Sequence, residues 1–84
     1  MRVERAFRGI SVRLARHYLE GLGGEIVDDE RVEGPDWTAT LSSETIAIGP
    51  SIELTEVTIV FEGPEDALDP LVERFAQKAM RAGG

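Results

Sequence analysis

The single histidine, His17, stands three residues before Glu20, and on a helix that spacing puts two potential metal ligands on adjacent turns. Zinc takes about three protein ligands in catalytic sites and about four in structural ones, so His17 reads as a solvated helix-face histidine and no metal site is expected. Asp28-Asp29-Glu30 lacks the staggered oxygens and turn-forming glycine of a calcium loop and reads as a solvated β-turn. The chain contains no cysteine, which removes thiolate zinc sites, disulfides and a cysteine nucleophile together. No motif joins Ser42, Ser43 or Ser51 to His17 in the manner of a hydroxyl nucleophile and its base. Gly21-Leu22-Gly23-Gly24 follows a predicted helix, whereas a phosphate loop precedes one so that the helix's first amides face the anion. The expectation is a protein that is not an enzyme, with no catalytic residue and no cofactor.

Two features remain. Arg13, Arg16 and His17 fall on one predicted helix and Arg74, Lys78 and Arg81 on another, so together they could form a patch for an anion or an acidic partner, or simply be two solvated helix faces. The chain ends in Gly83-Gly84. A terminal diglycine is how ubiquitin-like modifiers and sulfur carriers expose a carboxylate for activation, since a tail without side chains threads a narrow channel. The same pair directly after a helix is also an ordinary C-cap. Both readings stay open.

The elements that must position these groups follow from periodicity. Val3 and Phe7 alternate with Glu4, Ala6 and Arg8 as a half-buried strand that Gly9 ends. Ser11 sits at an N-cap position, with Ile10 and Ala15 spaced as a hydrophobic staple, and a helix is expected from about Val12 to Leu22. Its apolar arc holds Val12, Leu14, Ala15, Tyr18, Leu19 and Leu22; Arg13, Arg16, His17 and Glu20 lie opposite. The glycines after it end the helix and turn the chain. Glu25-Ile26-Val27 opens a strand, Gly34-Pro35-Asp36 is a turn, and Trp37, Ala39 and Leu41 alternate with Thr38 and Thr40. Ser42-Ser43-Glu44 reads as a further turn before a strand carrying Ile46 and Ile48, which Gly49-Pro50-Ser51 breaks. Val57, Ile59 and Phe61 alternate in the clearest strand of all. Asp69-Pro70 reads as an N-cap followed by proline at the first helical position, giving a last helix over 70–82 with Leu71, Val72, Phe75, Ala76 and Ala79 inward and Leu68 as a possible extension.

The predicted fold is α+β: an antiparallel sheet of four to five strands with two helices packed on one face, in the order β-α-β-β-β(-β)-α. The other sheet face would show Ala6, Thr38, Thr40, Thr45, Ala47, Thr58 and Val60, small and threonine-rich enough to be solvated or to pair with a second copy. At 84 residues the chain is expected to be a single domain spanning 1–84.

The net charge of −7 is unevenly spread: residues 1–17 carry +4, residues 18–73 carry −14 and residues 74–84 carry +3. That acidic middle argues against nucleic acid as a partner, because affinity for phosphates comes from basic groups. No apolar run reaches signal-peptide or membrane-spanning length, so a cytoplasmic protein without membrane association is expected. Lys78 is the only lysine among nine basic residues, a composition that suits a halophilic or high-GC source.

Arg5-x-Phe7, Leu14-x-x-x-Tyr18-Leu19, Gly23-Gly24 and the terminal Arg81-Ala82-Gly83-Gly84 together resemble a small domain found at the C-terminus of some archaeal and bacterial proteins related to the molybdopterin synthase small subunit. The resemblance covers nearly the whole chain. In that family the domain follows a ubiquitin-like β-grasp domain; here Met1 lies only a few residues before the shared pattern, so the domain is expected to stand alone. The resemblance implies a compact α+β fold and a link to molybdenum-cofactor or sulfur-carrier pathways, and it carries over no catalytic residue. Three functions follow: an accessory interaction module with a protein partner or a second copy of itself; a modifier or sulfur carrier activated at Gly84; and a binder of a small anionic metabolite.

Overall fold

The computed structural model describes residues 1–83 and runs β1 (Arg2–Arg8), α1 (Val12–Gly21), β2 (Glu25–Asp28), β3 (Arg31–Glu33), β4 (Thr38–Ala47), β5 (Glu53–Glu62) and α2 (Glu65–Gly83). The strands form one antiparallel sheet in the order β1-β5-β4-β3-β2. After β1 the chain crosses through α1 to the opposite edge, then returns strand by strand until β5 lies against β1. The predicted α+β fold and element order hold.

Register decides which face each side chain takes. Val3 pairs with Phe61, Ala39 with Phe61 and Leu41 with Ile59, so these odd-numbered positions share the face covered by the helices. On it Val32, Ala39, Leu41, Val57, Ile59 and Phe61 join Ala15 and Leu19 of α1 and Leu68, Leu71, Phe75 and Ala79 of α2 in one buried core. The rings of Phe7, Tyr18 and Phe61 each meet Phe75 edge to face, at centroid distances of 4.9, 6.0 and 6.0 Å. α1 lies over β2, β3 and β4; α2 lies over β1 and β5.

The caps of α1 follow the sequence closely. The Leu14 N–H donates to Ser11 Oγ at 3.0 Å, which satisfies one of the amides a helix start leaves free. At the other end Gly23 takes φ +105°, a conformation L side chains rarely adopt, and the Gly24 N–H closes the turn on the Leu19 carbonyl at 3.0 Å.

Three local expectations are corrected. Ser42-Ser43-Glu44 is strand interior, because β5 offers ten residues for β4 to pair with and the ladder continues through Ser43↔Val57 and Glu44↔Glu56. With no turn to reset the alternation, Ile46 and Ile48 change sides: Ile46 pairs with Leu54 on the face away from the helices, while Thr45 and Ala47 take the helix-side parity. Ala6, Thr38, Thr40, Thr58 and Val60 do lie on the open face, joined there by Glu4, Glu56 and Ser42. Not anticipated is a short strand, β3, at Arg31–Glu33; the acidic run before it is the turn expected, with the Glu30 N–H donating to Asp28 Oδ1 at 2.8 Å. Finally, α2 starts at Glu65, so Asp69 is no cap and Pro70 lies inside the helix. The missing Pro70 amide would have bonded near the helix start, where Pro70 and its neighbours Asp66 and Asp69 are exposed to water. Glu65 and Asp66 in the first turn also suit the positive end of the helix dipole.

Candidate functional site

Because Ala15 and Leu19 turn α1 onto the sheet, its basic residues line the outer side. Arg13, Arg16 and His17, with Ser11, Leu14 and Ile26 of β2, border an open depression of about 700 Å³. Arg13 and His17 are exposed and Arg16 is half-buried. Arg16 Nη1 donates to Asp29 Oδ1 at 3.1 Å, and its Nε is buried with no hydrogen-bond partner among the described residues. A neighbouring depression of about 350 Å³ includes Arg16, Asp29, Glu30, Ser42 and Ser43.

The basic residues of α2, Arg74, Lys78 and Arg81, stand at i, i+4 and i+7 and so share one stripe of that helix. Arg74 borders a shallow depression of about 130 Å³ beside Asp36, Trp37 and Pro70. Lys78 Nζ stands 5.9 Å from the centre of the Tyr18 ring, within cation–π range, and Arg81 is exposed. Of the six residues expected to make one anion or partner patch, Arg13, Arg16 and His17 border one depression, while Arg74 borders another and Lys78 lies over Tyr18 of α1. None of these three depressions is lined by basic groups of both helices.

A further surface was not anticipated from the sequence. β1 pairs with β5 only as far as Arg8↔Glu56, and β3 pairs with β4 only as far as Arg31↔Thr40. Beyond those limits the β4–β5 ladder goes on through Thr45↔Thr55, Ile46↔Leu54 and Ala47↔Glu53, and the Ile48 N–H donates to the Ile52 carbonyl at 2.8 Å. The result is a two-stranded ribbon overhanging the sheet, in a molecule 43 Å long and only 23 by 21 Å across. Its end carries Ile48 and Ile52, 52% and 59% exposed. The signal was present in the sequence: Ile46, Ile48, Ile52 and Leu54 straddle Gly49-Pro50-Ser51 symmetrically, as hairpin partners do.

Gly83 is the last helical residue of α2, and Gly84 lies outside the described residues. Among the described residues no three His, Asp or Glu side chains cluster as metal ligands, and no helix is long and apolar enough to cross a membrane.

A family model described as archaeal MoaD-like protein matches residues 3–84. The chain belongs to that family. Membership bears out the relation to the MoaD family and relates this chain to the small proteins of molybdopterin synthesis and sulfur carriage. MoaD-like proteins generally act with protein partners. No curated protein matches the chain.

Proposed function

We propose that this MoaD-like chain is a non-catalytic interaction module of the cytoplasm, serving molybdenum-cofactor or sulfur-carrier metabolism by binding a protein partner through the overhanging end of its β4–β5 hairpin. One observation carries the reading: the ribbon places Ile48 and Ile52 in water with no core beneath them, although an isolated two-stranded hairpin is only marginally stable. The partner's chemistry follows from the charges around those side chains. Glu44 and Glu53 lie along the distal half of the ribbon, where Glu56 is already paired with Arg8 at 3.0 Å, so an apolar groove rimmed by Lys or Arg fits it. A second copy would set these carboxylates against their own kind on a chain of net charge −7, so homodimerisation is expected to be the weaker, salt-dependent mode.

Native mass spectrometry of the protein recovered from its own host tests this, with the wild type beside an Ile48→Ser/Ile52→Ser double variant. The expected result is a defined complex for the wild type that the double variant loses while keeping its own melting transition. The same complex in both samples, or a bare monomer in both, would overturn the assignment of the hairpin. The carrier reading, activated at Gly84, draws support from family membership, and a C-terminal thiocarboxylate mass in the same spectra would replace the interaction module with it.

A further inference from the structure

α1 and α2 treat their N-termini in opposite ways. Glu65 and Asp66 occupy the first turn of α2, while the first turn of α1 holds no acidic residue and carries Arg13 instead. In a chain of net charge −7 this leaves the positive end of the α1 dipole without a carboxylate of its own. The depression beside it repeats the pattern. Its lining comprises Ser11, Arg13, Leu14, Arg16, His17 and Ile26, and none of these is acidic, although acids outnumber basic residues in the whole chain by 16 to 9.

The apolar part of the lining has a structural origin. Ile26 pairs with the buried Val32 and so has the parity of the helix-covered face, yet β2 is the sheet edge and Ile26 stays 39% exposed. Leu14 is half-buried and packs against the edge of the core. Aliphatic carbon of Leu14 and Ile26 and the guanidinium groups of Arg13 and Arg16 thus line one depression of about 700 Å³, within the size range of small-ligand sites. Arg16 Nη1 is already paired with Asp29 Oδ1 at 3.1 Å, so Arg13 is the rim guanidinium with no carboxylate partner among the described residues.

We infer that the α1–β2 depression binds a small organic anion: a phosphate or carboxylate head held by Arg13, His17 and the start of α1, with an apolar body against Leu14 and Ile26. Inorganic phosphate offers only the head and a neutral aromatic alcohol only the body, so each binds weakly. This site is separate from the hairpin end and can exist with or without a partner there.

The test is a titration of the full chain with phenyl phosphate, inorganic phosphate and benzyl alcohol, followed by backbone amide NMR shifts. Phenyl phosphate should saturate shifts over Ser11–Tyr18 and at Ile26, with affinity about tenfold or more above either fragment. Arg13→Gln, His17→Gln and Ile26→Ser should each weaken it about threefold or more, and Arg74→Gln should leave it unchanged. Arg13 and His17 are exposed, so their variants should keep the wild-type melting temperature and report on binding alone. Saturation centred elsewhere, no saturation at all, or equal loss in the Arg13→Gln and Arg74→Gln variants would overturn the assignment.

Discussion

β4 and β5 are each ten residues long and pair along their whole length, yet their two halves live in different surroundings. In the inner half Ala39, Leu41, Val57, Ile59 and Phe61 are buried beneath α1 and α2. In the outer half the positions of the same parity, Thr45, Ala47, Glu53 and Thr55, are all exposed. The hydrogen-bonded ladder is continuous across both, so it cannot be what makes one half a core and the other a free surface. Flanking elements make that difference. Where β1, β3 and the helices stop, the ribbon keeps its backbone pairing and loses its packing, and the open aliphatic end becomes available to another molecule.

The largest expected effect comes from emptying the inner half. Phe61 is fully buried and meets Phe75 edge to face, so Phe61→Ala should cost about 3–5 kcal/mol, read as a lower urea midpoint. In a domain whose total stability is of the order of 5–15 kcal/mol, that change brings the fold close to its limit. Leu54→Ala, on the outer half and half-buried, should cost about 1 kcal/mol or less. Equal losses at the two positions would break the comparison, because the outer half would then be packed like the inner.

A second expectation concerns the entry to β4. A Cβ on Gly34 would run into the indole of Trp37, which is itself buried and packs in the core. Gly34→Ala should displace that ring and cost about 1–3 kcal/mol. Trp37 is the only tryptophan, so its emission maximum reports the displacement directly. An unchanged emission spectrum with unchanged stability would show that the ring has room to move, and that the inner half is less tightly fixed than its burial suggests.

What the sequence made legible divides along the same line. α1 with its Ser11 cap, the burial of Trp37, Ala39 and Leu41, and the inward set Val57, Ile59 and Phe61 were all readable, because local capping and apolar alternation agree with the fold at those positions. β3 was not: a three-residue strand with Arg31 and Glu33 flanking a single buried valine has too short a pattern to register, and only pairing on both sides makes it a strand. The overhang was missed because serines mark turns by propensity, while here Ser42 and Ser43 are held extended by ten partners on β5. Pro70 misled in a similar way, since a proline is tolerated in the early, exposed turns of α2 as well as at a first position. The basic face of α1 was legible from the helical wheel. Its depression was not, because Ile26 reaches it only through the β2–β3 pairing at the far edge of the sheet.

Capping offers a gentler way to separate the halves. α1 lies over β2, β3 and β4 and contributes Ala15 and Leu19 to the core, so weakening α1 should loosen the inner half alone. Ser11→Ala removes the acceptor for the Leu14 amide and should cost about 1 kcal/mol. Hydrogen exchange should accelerate in α1 and the inner strands and stay unchanged at the Ile48 amide. Acceleration of Ile48 by the same factor would mean that the overhang opens only when the whole domain does.

The smallest expected effect is on the stability of the Ile48→Ser/Ile52→Ser variant, and here the lack of effect is what matters. Both side chains are more than half exposed, so replacing them should change stability by about 0.5 kcal/mol or less and leave the melting curve in place. Amides of the distal ribbon, including Ile48, should exchange by local opening in both proteins, faster than those opposite Leu41 and Ile59. A loss of stability well beyond that figure would show that the two isoleucines hold the ribbon together rather than wait for a partner. A silent substitution would leave their exposure without a folding role, and recognition would then be the remaining use for two aliphatic side chains held in water at the end of an acidic hairpin.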